Sequence, residues 1–340
     1  VTTVHFVVPN NIDDPAQPSG GNIYDSALLA ALPAFGWTVR RHRVGTSLRD
    51  TLRAVPEGAV VVVDGLLGCA DPRALHDAAR RLRMVLLVHM PAGLNGAPRP
   101  DTANEAAALS AAGAVIATSN WTRHVLRARH GSLAARVRVA QPGVEPAPHA
   151  PGTPAGGQLL FVGAIVAHKG LDVLVRALAD VRDLTWECVC VGSLECDPGY
   201  VTAVRLLLDE HSLGSRVHLV GAADRDVVAK YYAAADALAA PSRVEAYGMV
   251  ISEALARGLP VLAAAAGGMA EPMGGAADQP GLSVRSGDVA AWSVALRSWL
   301  TDAALRQSLR ERAALRRTSL PSWSATAARV SDVLAELAGA

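Results

Sequence analysis

Hydrophobic positions fall along this chain in short runs. In the first half the runs are "VHFVVP" (4–9), "WTVRRHRV" (37–44), "AVVVVDG" (59–65), "MVLLVHMP" (84–91), "AVIATS" (114–119) and "RVRVAQPG" (136–143). Between them lie Ala/Leu/Arg segments of helical spacing near 22–34, 71–82, 102–112 and 120–129. Short β-branched runs separated by amphipathic helices predict βαβ units and a parallel sheet. The alternation stops at "EPAPHAPGTPAGGQ" (Glu145 to Gln158), which is rich in Pro and Gly, lacks a period and reads as a linker. It resumes with "LLFVGAI", "TWECVCVG", "RVHLVG", "ALAAPS", "PVLAAA" and "GLSVRSG", with helices from about 169, 198, 224 and 248. Three helical patterns near 288–300, 302–316 and 322–338 end the chain. The expectation is two doubly wound α/β domains facing one another. Residues 1–145 form the first and 158–321 the second, with a linker at 146–157 and a last helix (322–340) returning to the first.

Composition narrows this picture. Half of the 340 residues are hydrophobic but only 4% are aromatic, so the cores must be aliphatic, as suits parallel sheets covered by helices. A net charge of +1 gives no argument for nucleic acid as a partner. No apolar run reaches the ~20 residues of a membrane span, and the chain opens directly as a strand, which predicts a cytoplasmic protein. Lys169 and Lys230 are the only lysines. Cys188, Cys190 and Cys196 lie in "WECVCVGSLEC" without zinc spacing, so they read as buried reduced thiols and no metal is expected.

In open parallel sheets, ligands bind beyond the carboxyl ends of strands, so the loops there are the informative ones. After the first strand, Gly20-Gly21 precede a helix and would let amides approach an anion. No G-x-G-x-x-G occurs, which argues against a nicotinamide enzyme. "VHMP" places His89 at a strand end, and "FVGAIVAHKG" places Gly163 and Gly170 around Lys169. That lysine stands at the wrong helix end for the dipole, and an anionic ligand would supply the reason. "RVEAYGMVISEALARGLP" (243–260) carries Glu245 in a loop and Glu253 about one and a half turns into the next helix. The amides of Gly248, Met249, Val250 and Ile251 lie between them. "AAAAGGMAEP" adds Gly267, Gly268 and Glu271 at the same sheet edge. "DRD" (224–226) looks like a metal motif but reads as a helix cap. Arg306, Arg310, Arg312, Arg316 and Arg317 read as a solvated face, with acidic lipid as the lesser alternative.

Together these residues resemble the retaining GT-B glycosyltransferases of family 4. "EAYGMVISE" matches the family's E-x7-E signature, and "FVGAIVAHKG" its V-G-R-x-x-x-x-K-G element. "SGGN", "VHMP", "SNWTRHVL", "VAQPGVE", "GGMAE", "LSVRSGD" and "PSW" match further segments in order. The resemblance implies a nucleotide-diphosphate sugar as substrate, UDP more than GDP, with no cofactor and no metal. Glu253 would bind ribose hydroxyls, Glu245 would contact the transferred sugar, and His89 would lie near that sugar. Lys169 and the amides around Gly248, Met249 and Val250 would neutralise the diphosphate. Gly20, Gly21 and Gly163 would approach it, and Glu271 would touch the sugar. The family's diphosphate-binding Arg is Ala164 here, with Arg243 a substitute. The acceptor is unassigned, a small molecule or lipid-linked. The basic "VRRHRVGTSLRDTLR" would suit an acidic acceptor or peripheral membrane contact. A GT-B epimerase or hydrolase, and a degenerate nucleotide-sugar binding subunit, remain as alternatives.

Overall fold

The computed structural model describes residues 2–14, 19–94, 102–275 and 278–339. The chain divides into two compact units, the first of residues 1–13, 19–143 and 321–340, the second of the remainder. Strands of the first unit are β1 (Thr2–Pro9), β2 (Trp37–Val44), β3 (Val60–Asp64), β4 (Arg83–Val88), β5 (Ala114–Ala117) and β6 (Val137–Val139). Its helices are α1 (Gly20–Ala31), α2 (Leu48–Arg53), α3 (Gly65–Ala70), α4 (Pro72–Ala78), α5 (Thr102–Ala111) and α6 (Asn120–His130). All six strands are parallel, in the order β2-β1-β3-β4-β5-β6.

Period-two alternation sorts the first sheet's side chains onto two apolar faces. Val4, Phe6 and Val8 of β1, Val60 and Val62 of β3, and Val85 and Leu87 of β4 share one face. Val7, Val61, Val63, Met84, Leu86 and Val88 share the other. Strands buried on both sides explain why "VVVV" has no polar alternation. Leu48, Leu52, Leu75 and Leu109 from α2, α4 and α5 cover the second face. Tyr24 and Leu28 of α1 cover the first, together with Ala327, Val330, Val333 and Leu334 of the last helix (Trp323–Gly339).

The second unit has strands β7 (Gln158–Val162), β8 (Glu187–Val191), β9 (Val217–Gly221), β10 (Ala237–Ala240), β11 (Val261–Ala264) and β12 (Gly281–Val284). Its helices are α7 (Leu171–Asp180), α8 (Pro198–Glu210), α9 (Arg225–Ala234), α10 (Met249–Leu255), α11 (Ala270–Met273), α12 (Val289–Thr301) and α13 (Ala303–Arg317), so the last helix is α14. Its parallel order is β12-β11-β10-β7-β8-β9. In each sheet the strand order reverses beside the unit's first strand, between β1 and β3 and between β7 and β10. Loops leaving those four strands therefore flank the switch points where such sheets take ligands.

Every strand expected from the hydrophobic runs forms, whereas α2 and α3, at six residues each, were too short to show a helical period. Up to Gly157, where β7 follows, the Pro/Gly segment has no helix or strand, yet it is tied to the second unit along its length. Ala150 N–H donates to Arg257 O, and Thr153 N–H and hydroxyl and Gln158 N–H donate to the fully buried Asp236. The arginines of α13 supply much of this, which corrects the expectation of a solvated face. Arg306 is buried and donates to the carbonyls of Trp299, Leu300 and Pro154. Arg310 reaches Thr153 O and Asp236, Arg316 reaches Pro272 O and Glu271 O, and Arg317 reaches Ala256 O and Ala147 O. Guanidinium suits this work because its several N–H groups bond carbonyls that have no ladder partner.

Candidate active site

In the second unit, the carboxyl ends of β7 and β8 approach closely. Gly163 N–H donates to Val191 O, and a Cβ on Gly192 would lie 1.9 Å from Gly163 O. Beyond Gly163 and Ala164 the chain makes a 3-10 turn, Ala167–Lys169, and Gly170 at φ +73° turns it into α7. Lys169 is thereby aimed at the loop after β10, and its Nζ lies 2.5 Å from Glu245 Oε2. The side chains are 24% and 16% exposed, so the pair is shielded from water. This answers the question of a lysine at the positive helix end: Glu245 is its countercharge.

Arg243 has a different engagement from the one its position suggested. Its guanidinium forks onto Asp172 at 2.8 and 2.7 Å and donates to Ala167 O at 2.7 Å. The backbone N–H of Arg243 donates to His168 O, and Tyr200 O–H donates to Asp172 at 2.5 Å. Burial pushes the Asp172 carboxyl up, but the hydrogen bonds from Arg243 and Tyr200 and the arginine's charge outweigh it and hold it below its usual value. Arg243 could replace the cation missing at Ala164 only by releasing Asp172. Instead it stitches the β10 loop to the turn that carries Lys169.

Glu253 stands in the second turn of α10 and accepts from Tyr232 O–H at 2.9 Å. Burial raises its carboxyl, against the hydrogen bond from Tyr232 and the charges of Arg257 and Arg225. Gly248, at φ +89°, is the residue before α10, a conformation that suits glycine. Of the expected run of amides, that of Ile251 is already bonded to Gly248 O. Met249 and Val250 are half-buried at the helix start, and Val250 O accepts from Tyr232. The β11 loop closes over this segment: Gly268 N–H donates to Glu245 O, and a Cβ on Gly267 or Gly268 would lie 2.0 Å from the carbonyl of Glu245 or Ala246. Glu271 sits in α11, half-buried, with its N–H on Gly268 O. The second unit thus joins Lys169, Glu245 and Arg243 in one chain of contacts, with Arg243 and Glu245 on the loop that leads into α10.

In the first unit, Ser19 caps α1 by accepting from Asn22 N–H, so Gly20 and Gly21 open that helix; residues 15–18 before them lie outside the described residues. A Cβ on Gly21 would lie 3.2 Å from the His89 ring. His89 Nε2 lies 3.0 Å from Asp25 Oδ1 and 3.4 Å from Asp64 Oδ2. Burial disfavours the charged ring, but Asp25 and then Asp64 reverse this and lift His89 to about 10. Among the described residues these three side chains are the only trio of His, Cys, Asp or Glu close enough to share an ion. An ion there would need a ring stripped of its Nε2 proton, whereas two carboxylates favour the protonated ring.

Three smaller expectations change. Asp224 precedes α9 as foreseen, but its side chain makes no capping bond. Cys188 and Cys190 are buried, with the hydrogen bond to the Cys188 thiol and then burial pushing Cys190 up, whereas Cys196 is exposed. In the basic stretch, Arg41 and Arg43 pair with Asp13 and Arg49 with Asp77. No helix of the described residues is long and apolar enough to cross a membrane. Asp25, Asp64, Asp172, Tyr200 and Tyr232 were missed. Only Asp64 had a signal, as an acid closing the run "VVVVD" at a strand's carboxyl end.

Residues 154–316 match the family described as glycosyl transferases group 1. The D-inositol 3-phosphate glycosyltransferase of Kineococcus radiotolerans is 33% identical over 264 residues, which are 70% of this chain and 60% of that protein. The same-named protein of Jonesia denitrificans is 31% identical over 258 residues, 70% and 59% of the two chains. The match therefore spans about 60% of the length of these curated relatives. Among solved structures, sucrose-phosphate synthase from Thermosynechococcus elongatus has a TM-score of 0.83 at 24% identity, covering 99% of each chain. HepE of Anabaena, in complex with UDP-glucose, has a TM-score of 0.77 at 17% identity, covering 99% of this chain and 100% of that one. At these identities the likeness is one of fold.

Proposed function

We propose that this chain, residues 154–316 of which match the glycosyl transferases group 1 family, moves a sugar from a nucleotide-diphosphate sugar to an acceptor hydroxyl. The observation that carries this is the Lys169–Glu245 contact at the switch point between β7 and β10, beside the start of α10. A diphosphate arriving there meets an ammonium and the first free amides of a helix, both of which stabilise anionic oxygen. Glu253, inside the helix, accepts from ribose hydroxyls, and Glu245 accepts from the sugar once Lys169 turns to phosphate. By resemblance alone, His89 of the first unit is assigned to the sugar and Gly20 and Gly21 to an anionic group.

Transfer proceeds on one face of the sugar, with retention. The bond from the anomeric carbon to the diphosphate oxygen breaks, and the acceptor oxygen bonds from the same side. The acceptor proton passes to the leaving phosphate. Lys169 and the helix amides stabilise the charge as it develops, so the reaction needs no metal. The UDP-glucose bound in the Anabaena structure favours UDP as the carrier. A binding-only role is favoured by one observation, the absence of a cation at Ala164 with Arg243 already committed to Asp172.

Melting curves with UDP, GDP and their sugars test the donor, since a ligand of the native state raises the transition. We expect UDP-sugars to raise it and Lys169→Ala to weaken their binding at least ~10-fold, about 1.4 kcal/mol. Undiminished affinity in that variant overturns the assignment. Donor binding without single-turnover transfer to any acceptor in a panel selects the binding-only role.

A further inference from the structure

The first unit carries a buried carboxylate that the proposed transfer does not use. Asp25 is fully buried in α1, with Oδ1 on His89 Nε2, and its Oδ2 has no hydrogen-bond partner among the described residues. Asp64 faces the same nitrogen from the end of β3, but its Oδ1 already accepts from the amides of Leu66 and Leu67 and caps α3. The remaining polar neighbours are Tyr24, whose ring meets His89 edge-on at 5.3 Å and whose phenol burial keeps neutral, and Thr118, whose hydroxyl donates to His89 O. A buried carboxylate with one bare oxygen is unfavourable unless a partner shares its charge or its proton. His89 is the only cationic candidate among these contacts.

Among the described residues, polar contacts to the His89 ring are at Nε2 alone, and the side chain is 14% exposed. The ring's charge state then decides what the other nitrogen does. A neutral ring that donates from Nε2 presents a lone pair at Nδ1, whereas a protonated ring presents an N–H. We infer that Asp25 is a positioning residue which shares the Nε2 proton with His89 and fixes the ring as a charged donor through Nδ1. The oxygen it serves is a sugar hydroxyl at the carboxyl edge of the first unit's sheet. Asp64, held by two amides, acts as a fixed anion, and Asp25 as the partner able to take up the proton. The inference deepens the proposed transfer and rests on its assignment of His89 to the sugar.

Nitrogen-15 NMR of histidine-labelled protein reads the ring directly. We expect His89 to carry both ring protons at pH 8. In Asp25→Asn, which keeps the side chain's shape, it should lose one at a pH at least one unit lower, a ~10-fold change in its acidity constant. Asp64→Asn should shift it less, and a fall in sugar turnover in Asp25→Asn should recover as pH is lowered. A neutral His89 in the native protein at pH 7, or an unchanged titration in Asp25→Asn, overturns the inference. The expected titration in a protein that transfers no sugar upholds the couple and strikes the transferase reading instead.

Discussion

Glu253 has to be buried enough to be held still and charged enough to accept a hydroxyl. Burial raises its carboxyl, so the native state holds the proton more tightly than the unfolded chain does. Its contribution to stability is therefore fully present below the unfolded value of about 4.5 and is lost as pH rises through the raised native value. Glu253→Gln keeps the shape and removes the charge. It should raise the ligand-free melting temperature more at pH 8 than at pH 4, and weaken UDP-sugar binding about 10-fold, the size of one lost charged hydrogen bond. Scanning fluorimetry and calorimetry check both, and a melting gain of equal size at the two pH values contradicts the account. Glu253 was legible because an acid early in a helix, eight positions after another, is a local pattern. Its partner Tyr232 was not, since it arrives from α9 through the fold, and no spacing in the sequence announces such a meeting.

At the scale of elements, the site depends on two loops keeping their distance. The β7 turn and the β10 loop meet through the Lys169–Glu245 pair, and Arg243 ties them a second time through Ala167, His168 and Asp172. Arg243→Ala removes the second tie. Hydrogen exchange at 163–170 should then quicken, and turnover should fall ~10-fold, by analogy with the loss of other charge-assisted contacts. Arg243→Lys should restore only part, since an ammonium cannot fork onto a carboxylate. Full rescue by Lys, or unaltered exchange, refutes the brace. The loops themselves were legible, because strands and helices alternate cleanly and chemistry follows strand ends. What Arg243 does in its loop was not, because Asp172 and Tyr200 reach it from α7 and α8. The Pro/Gly stretch misled for a related reason: composition reports the lack of a period, not the arginines of α13 that hold it.

At the scale of the whole molecule, the chain leaves the first unit at 143 and returns at 321. Helix α14 brings Ala327, Val330, Val333 and Leu334 onto a sheet face otherwise covered by α1. Full burial of each larger apolar side chain is worth ~1.5–3 kcal/mol, so these few residues rival a domain's whole margin of ~5–15 kcal/mol. Removing residues 321–340 should therefore unfold the first unit and spare the second. Hydrogen exchange read strand by strand would show protection lost in β1, β3 and β4 and kept in β7, β8 and β10. Equal loss in both units, or none, counts against this division.

The same return of α14 sets a timetable. A ribosome makes β1 to β6 first, yet the apolar face of that sheet waits about 180 residues for its cover, an interval read directly from positions 143 and 321. Apart from residues 14–18, the second unit is made from one stretch, and it can close while part of that face is still uncovered. Of the two units, the one whose strands are made earlier is thus the one completed later, and its uncovered valines are what a chaperone would meet during synthesis.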